Sequence, residues 1–165
     1  MINIIKKRYF CLLNFIFIKM LSKASKYVIS AVLYMTKNAT LENKLGSLEI
    51  AKRLNIPAPF LAKSLQKLSK KGIISSVKGP NGGFYLSNEN KDKTLFDVID
   101  CVDSVEKFNQ CYLGHEYCNE ENPCVVHFLY APFKSTLITK LKTKTILQMA
   151  EEYQNNTNFT LKKRL

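Results

Sequence analysis

The forty residues from Ser47 to Leu86 read SLEIAKRLNIPAPFLAKSLQKLSKKGIISSVKGPNGGFYL, and the order of apolar, polar and turn-forming residues in them decides the fold. Ser47 is placed to cap a short helix that turns Ile50, Ala51 and Leu54 inward, with Glu49 near its positive end. Asn55-Ile56-Pro57 makes a turn. Pro59 suits the first turn of a further helix, predicted from Ala58 to Lys71. Phe60, Leu61, Leu65 and Leu68 form its apolar side, which leaves Lys63, Gln66, Lys67 and Lys70 to solvent. Gly72 stops it. Ile73 to Val77 reads as a short strand, Lys78-Gly79-Pro80-Asn81-Gly82-Gly83 as a tight turn, and Phe84-Tyr85-Leu86 as the start of a returning strand.

Upstream, Ser22 to Lys37 carries Tyr27, Val28, Ala31, Val32, Leu33 and Met35 at roughly helical spacing, and Asn38 to Gly46 is a polar loop. Downstream, Thr94 can cap a short helix holding Leu95, Val98 and Ile99. Val126 to Tyr153 is a long helical candidate in which Phe133, Leu137 and Leu141 recur every four residues, with Pro132 expected to kink it or delay its start. The expected class is mainly α with a small β wing: a winged helix-turn-helix over residues 20–100, a cysteine-containing sensor loop over 101–127, and a long C-terminal dimerisation helix with its tail over 128–165. A long helix with one apolar side and few partners in its own domain suits pairing with a second copy; the alternative is that it folds back on its own body.

The formal net charge is +12, which favours a polyanion or an anionic surface as partner. It is unevenly placed. Met20 to Asn90 holds eleven Lys and Arg against three acidic residues, whereas Asp97 to Glu121 holds seven acidic residues and one Lys. One module is built to meet phosphate and another is not. Two short helices joined by a tight turn form the unit whose second member enters a DNA major groove. On that reading Lys63, Lys67, Lys70 and Lys71 meet phosphates, Ser64 and Gln66 reach base edges, Lys67 serves either role, and Pro59 shapes the helix. The glycines of the turn admit backbone angles that a side chain forbids. The plain alternative is a small helical domain with a hairpin and no nucleic-acid role.

Five cysteines, Cys11, Cys101, Cys111, Cys118 and Cys124, are an odd number and fit a secreted disulfide framework poorly. Three of them crowd into 111–124, and His127 follows Cys124 by three residues. Soft thiolates with an imidazole make a four-ligand set for iron, and Gly114 and Pro123 let the loop wrap around it. Zinc, thiol redox chemistry and no cofactor are the alternatives. Cys101 reads as a packed helix residue, Cys11 as incidental, and His115 as a solvated loop residue, with His115 in place of His127 as the ligand being the alternative. Lys6, Lys7 and Arg8 precede an apolar run from Phe10 to Ile18. That run is too short to span a bilayer, which takes about 20 residues, and no small-residue cleavage site follows it. Residues 1–19 are taken as a leader or extension, with Met20 as the start of a cytoplasmic domain and no stable membrane association; the alternative is an extra amphipathic helix packed on the body.

MLSKASKYVISAVLYM from Met20, the Ile-Pro turn, the Phe-Leu helix start, the Gly-x-x-Gly-Gly wing and TLFDVID together resemble the bacterial winged-helix regulators that include the iron–sulfur assembly repressor IscR, the nitric-oxide sensor NsrR and the cysteine-metabolism regulator CymR. The likeness runs from about Met20 to Met149. It implies a dimeric transcription regulator, often a repressor, acting on double-stranded DNA with a palindromic operator. The Ala58–Lys71 segment would be the recognition helix. Lys78, Gly79, Asn81, Gly82 and Gly83 would form the wing on the minor groove or backbone. Ser22, Lys23 and Tyr27 would lie at the DNA-facing start of the first helix, with Ser47 at the start of the second. It also implies an iron–sulfur cluster on Cys111, Cys118, Cys124 and His127, although the first interval is one residue longer than in the assembly repressor. Ser22 to Tyr27 has no Asp or Glu, which departs from the nitric-oxide sensor's acidic ligand. The rival classes are a redox or metal-handling enzyme using the cysteines and a ligand-free architectural DNA binder. No acid–base pair accompanies the thiols in sequence, which argues against the enzyme.

Overall fold

The computed structural model describes residues 21–155; the leader over 1–19, Met20, Cys11 and the tail beyond 155 lie outside the described residues. The elements in chain order are α1 (Lys23–Asn38), α2 (Ser47–Leu54), α3 (Ala58–Lys70), β1 (Ser75–Val77), β2 (Gly83–Tyr85), α4 (Asn88–Lys91), α5 (Leu95–Val102), a 3-10 turn (Val105–Asn109), α6 (His127–Thr143) and α7 (Ile146–Asn155).

Helix α1 begins where the Ser22 side chain accepts from the Ser25 N–H, which satisfies one of the free donors of the first turn. Its Val28, Ala31, Val32 and Met35 are fully buried. Helix α2 differs from expectation at its start. Gly46 is the N-cap, no side chain caps it, and Ser47 is already the first helical residue. Asn55 ends α2 in the left-handed region at φ 55°, which Asn tolerates better than most residues, and Ile56 is buried beneath the turn. Pro57 and Pro59 flank the first turn of α3, where a missing N–H costs no helical bond. Leu61, Leu65 and Leu68 of α3 are fully buried, and each contributes about 1.5–3 kcal/mol by leaving water.

The hairpin is antiparallel, with Ser75 opposite Tyr85, Ser76 opposite Phe84 and Val77 opposite Gly83. The loop before α2 joins it. Leu45 is buried and pairs with Phe84 through two backbone bonds of 3.0 and 2.9 Å. Downstream, Thr94 caps α5 with a reciprocal bond from Asp97, as a capping box. Val98, Ile99 and Cys101 of α5 pack into the core, so Cys101 is the helix residue the sequence predicts. Ser25, fully buried in α1, donates to Asp103 Oδ2 at 3.3 Å and ties the start of α1 to the residue that ends α5.

The C-terminal region departs most from expectation. The predicted helix over Val126–Tyr153 is two helices, α6 and α7. Between them Thr145 bridges to Thr94, and the Ile146 N–H donates to the Lys93 carbonyl at 2.7 Å. Ile146 is fully buried. Pro132 lies inside α6, which starts at His127 and continues past it. The stripe read as the dimer seam is divided: Phe133 is half-buried and outside the core cluster, and the C-terminal part turns inward. Leu141 is buried in the protomer's own core, and Leu137 and Ile138 pack against it. Charged replacements at Leu137 and Leu141 would therefore disturb the protomer itself.

Candidate metal centre and nucleic-acid interface

The segment between α5 and α6 is short of apolar anchors and is shaped by its turns. Gly114 takes φ +79°, and its N–H donates to the Cys111 carbonyl at 3.0 Å. Asn119 Oδ1 accepts from the N–H groups of Glu121 and Asn122, which folds the next turn back. The His127 N–H donates to the Cys124 carbonyl at 2.9 Å, so the loop closes onto the first residue of α6.

These turns gather the thiols. Cys111 Sγ lies 3.6 Å from Cys124 Sγ, and Cys118 Sγ lies 3.2 Å from His127 Nδ1. The three sulfur atoms all lie within 4.8 Å of one another. A tetrahedral ion with sulfur ligands at about 2.3 Å needs neighbouring sulfurs a little under 4 Å apart, so the set converges as metal ligation requires. Three soft thiols and one imidazole also fit an iron–sulfur group by donor chemistry. All four residues are partly buried. Desolvation pushes the Cys111 thiol up, but the backbone N–H groups of His115 and Leu113 and the thiols of Cys118 and Cys124 outweigh it and bring it down to about 7. Cys118 receives the Cys124 N–H, which favours its thiolate; desolvation and the crowding of Cys124 and Cys111 outweigh that and hold it above the ordinary thiol value. One thiol of the set is brought toward its thiolate and another is held from it, as close thiols that interact must be. His115 is exposed in the loop. Cys101 is set apart in α5, where burial raises its thiol.

The polar side of α3 is as predicted at most positions. Pro59, Lys63, Gln66, Lys67, Lys70 and Lys71 are exposed, as are Lys78, Gly79 and Asn81 on the turn and Lys23 at the start of α1. Ser22, Tyr27, Ser47, Gly82 and Gly83 are half-buried. Tyr27 meets Phe60 of α3 edge to face, ring centroids 5.8 Å apart. Ser64 is a correction. It is buried, and its hydroxyl donates to the Phe60 carbonyl at 2.9 Å, within its own helix. A base reader has to present its donor to the groove, and this hydroxyl is turned inward.

The glycines of the turn also differ from expectation. Among them only Gly79 has a positive φ, +111°. Gly82 and Gly83 are required by space instead. A Cβ on Gly82 would lie 2.3 Å from the Val77 carbonyl oxygen, and one on Gly83 would lie 2.8 Å from that of Leu45.

Sequence reading misses Asn90, which is buried beneath the hairpin, and Leu45, which lies in a stretch read as polar loop. The Ser87-x-x-Asn90 spacing of a capping box was the available signal for the first.

The model of the Rrf2 family, described as iron-dependent transcriptional regulators, matches residues 21–152. A candidate HTH-type transcriptional regulator of Aquifex aeolicus (strain VF5) is 39% identical over 127 residues, which cover 76% of this chain and 87% of that one. IscR of Yersinia pseudotuberculosis is 26% identical over 149 residues, covering 85% and 90%. Among solved structures, CymR of B. subtilis superposes with a TM-score of 0.62 at 18% identity, over 80% of this chain and 96% of that one. T. potens IscR gives 0.61 at 19%, over 85% and 92%. These two likenesses bear on the fold alone. Among the described residues no helix is long and apolar enough to cross a membrane. The winged helix-turn-helix, the three-cysteine cluster and the match along residues 21–152 agree, and the chain belongs to the Rrf2 family, a regulator of transcription and not an enzyme.

Proposed function

We propose that the protein is a cytoplasmic homodimeric repressor whose affinity for a palindromic operator is set by an iron–sulfur group, or by the thiol state, at Cys111, Cys118, Cys124 and His127. The observation that carries this reading is the convergence of three sulfurs within 4.8 Å, with His127 Nδ1 3.2 Å from Cys118 Sγ. Cys111, Cys118 and Cys124 come from the loop and His127 from the first turn of α6. A group held by all four joins that loop to that helix, and its chemistry supplies sensitivity to oxidants and to iron supply. The chain's own residues do the rest. The Cys124 N–H steadies the Cys118 sulfur, and α5 connects the loop to the core beside α1 and α3. The test is titration of duplex DNA with anaerobically iron- and sulfide-reconstituted protein and with metal-free protein at one salt concentration. Equal affinities would sink the sensing role and leave DNA binding standing.

In the DNA complex, α3 of each subunit enters a major groove with the 78–83 turn beside it. Lys23, Lys63, Lys67, Lys70 and Lys78 are the phosphate contacts, and Gln66 is the principal base reader. Ser22, Tyr27, Ser47 and Pro59 shape the surface around them, and Asn81 lies at the turn tip. Replacing Gln66 with Ala narrows the gap between selected and random duplex by about 1–3 kcal/mol, if its contact is bidentate. Ser64→Ala leaves that gap nearly unchanged, because its hydroxyl is used inside the helix. A competition assay with random duplex separates the two, and an equal loss of discrimination would reject the assignment.

The dimer seam is better sought at the start of α6. Val125, Phe128 and Leu129 are 91%, 70% and 80% exposed, whereas Leu141 is buried at home. Such an apolar surface next to the thiols suits burial against a second copy. Changing Phe128 and Leu129 to Glu should give monomers in sedimentation, with the helical content of the protomer kept. A variant that stays fully dimeric puts the interface elsewhere.

A further inference from the structure

The wing lies against the recognition helix through a polar strap made by a residue outside both. Asn90 is 6% exposed and sits where three elements meet. Its Oδ1 accepts from the Ser75 hydroxyl at 2.7 Å, the Ser87 N–H at 3.0 Å and the Ser87 hydroxyl at 2.9 Å. Its Nδ2 donates to the Gly72 carbonyl at 3.0 Å. Gly72 follows the last turn of α3 and takes φ +69°, Ser75 opens β1, and Ser87 caps α4. A second tie runs beside it, between the hydroxyls of Ser69 on α3 and Ser76 on β1 at 2.7 Å. A buried amide with both ends used is directional in a way that an apolar contact is not, so it sets an angle as well as a distance. Ser75 stands three residues before Lys78, so any change of angle at the base of the hairpin is carried to its tip.

We propose that Asn90 is a positioning residue for DNA recognition: it holds the wing at one fixed offset from the recognition helix, so that Lys78 reaches phosphate while α3 lies in the groove. The inference rests on the DNA-binding reading above. A rigid offset lets both elements bind without ordering the hairpin in the complex, which would weaken affinity.

Two variants test it. Asn90→Leu keeps similar volume and removes every side-chain bond of the strap. Ser75→Ala removes only the bond to β1 and leaves the α4 cap and the Gly72 tie in place, so it decides the matter should the first variant fail to fold. The probe is a duplex selected from a randomised pool by wild-type protein and titrated across a range of salt concentrations. Ser75→Ala should bind about fivefold more weakly and Asn90→Leu roughly tenfold or more. Both should lose about one from the salt slope, as expected when a lysine leaves a phosphate. Hydroxyl-radical footprints should lose protection at the flanks, where the wing lies, and keep it at the centre of each half-site. Iron uptake should match wild type. If the variants only lower the unfolding temperature, with affinity, salt slope and footprint of the folded protein as in wild type, Asn90 braces the fold alone and the proposal is overturned. Wild-type protein that selects no duplex would instead overturn the DNA-binding reading, and this proposal with it.

Discussion

Protein carrying Ala at Cys111, Cys118 or Cys124 is expected to show no visible absorption after anaerobic reconstitution with iron and sulfide, where wild type turns brown. Each sulfur is within 4.8 Å of the other two, so removing any one opens the donor set at its centre. His127→Ala should weaken the group more than abolish it. Among the described residues its Nδ1 meets the Cys118 sulfur, and a solvent or buffer ligand can stand in for one nitrogen. Cys101→Ala is the control. That thiol is buried in α5 with its proton held by burial, and its loss should leave the spectrum unchanged. Wild-type protein that stays colourless and iron-free would end the iron–sulfur reading. A colourless protein holding one zinc per chain would replace it with a structural metal, which the close approach of the three sulfurs also accommodates.

The second large effect is expected from Gly82→Val combined with Gly83→Val, which should weaken duplex binding by tenfold or more, about 1.4 kcal/mol at the least. The cause is contact with backbone and not a forbidden torsion. Both substituted Cβ atoms would fall under 3.0 Å from carbonyl oxygens, those of Val77 and Leu45, which belong to the hairpin and to the segment paired with it. Neither oxygen can move without breaking the pairing, so the wing is displaced. Leu45 is one residue of a core that also holds Val28, Leu61, Leu65 and Val98, and circular dichroism should remain largely helical. Gly79→Val tests a different property. Its Cβ would meet nothing within 4 Å, but its φ of +111° suits only glycine. Labelled duplex titrated with wild type and the double variant at one salt concentration decides the matter, and equal affinities would remove the turn from the DNA surface.

Much of the fold is legible because its signals are local. The Ile-Pro turn, Pro59 in the first turn of α3, Gly72 after it and Thr94 before α5 act within a few residues of themselves, and the structure has each element where these place it. Helical period marked Leu61, Leu65 and Leu68 as inward. It also assigned Ser64 to the exposed side as a base reader, since a small polar residue next to an apolar stripe fits either side; in the structure its hydroxyl donates to the Phe60 carbonyl, four residues back. Cys spacing with His127 three residues after the last thiol marked a candidate ligand set, and the resemblance to the iron–sulfur assembly repressor pointed to the same four residues, but spacing alone left zinc and thiol redox chemistry open.

What depended on contacts between distant segments was not readable. Period alone cannot say whether Leu137 and Leu141 face a second chain or the same one; Leu141 is buried in its own protomer, and where the long helix divides the Ile146 N–H meets the Lys93 carbonyl. Nor can it tell that Leu45 would enter the hairpin, that Gly82 and Gly83 are small because carbonyls of Val77 and Leu45 lie against them, or that Asn90 would join Gly72 and Ser75. Turn chemistry, caps and helical period are properties of neighbours in the chain and are written in the residues themselves. Burial, close approach and the partner of a side chain arise only when elements far apart in sequence are packed together, and for this protein that packing decided which side chains stay exposed on α3 and the hairpin turn, which thiols converge and which apolar residues are left uncovered.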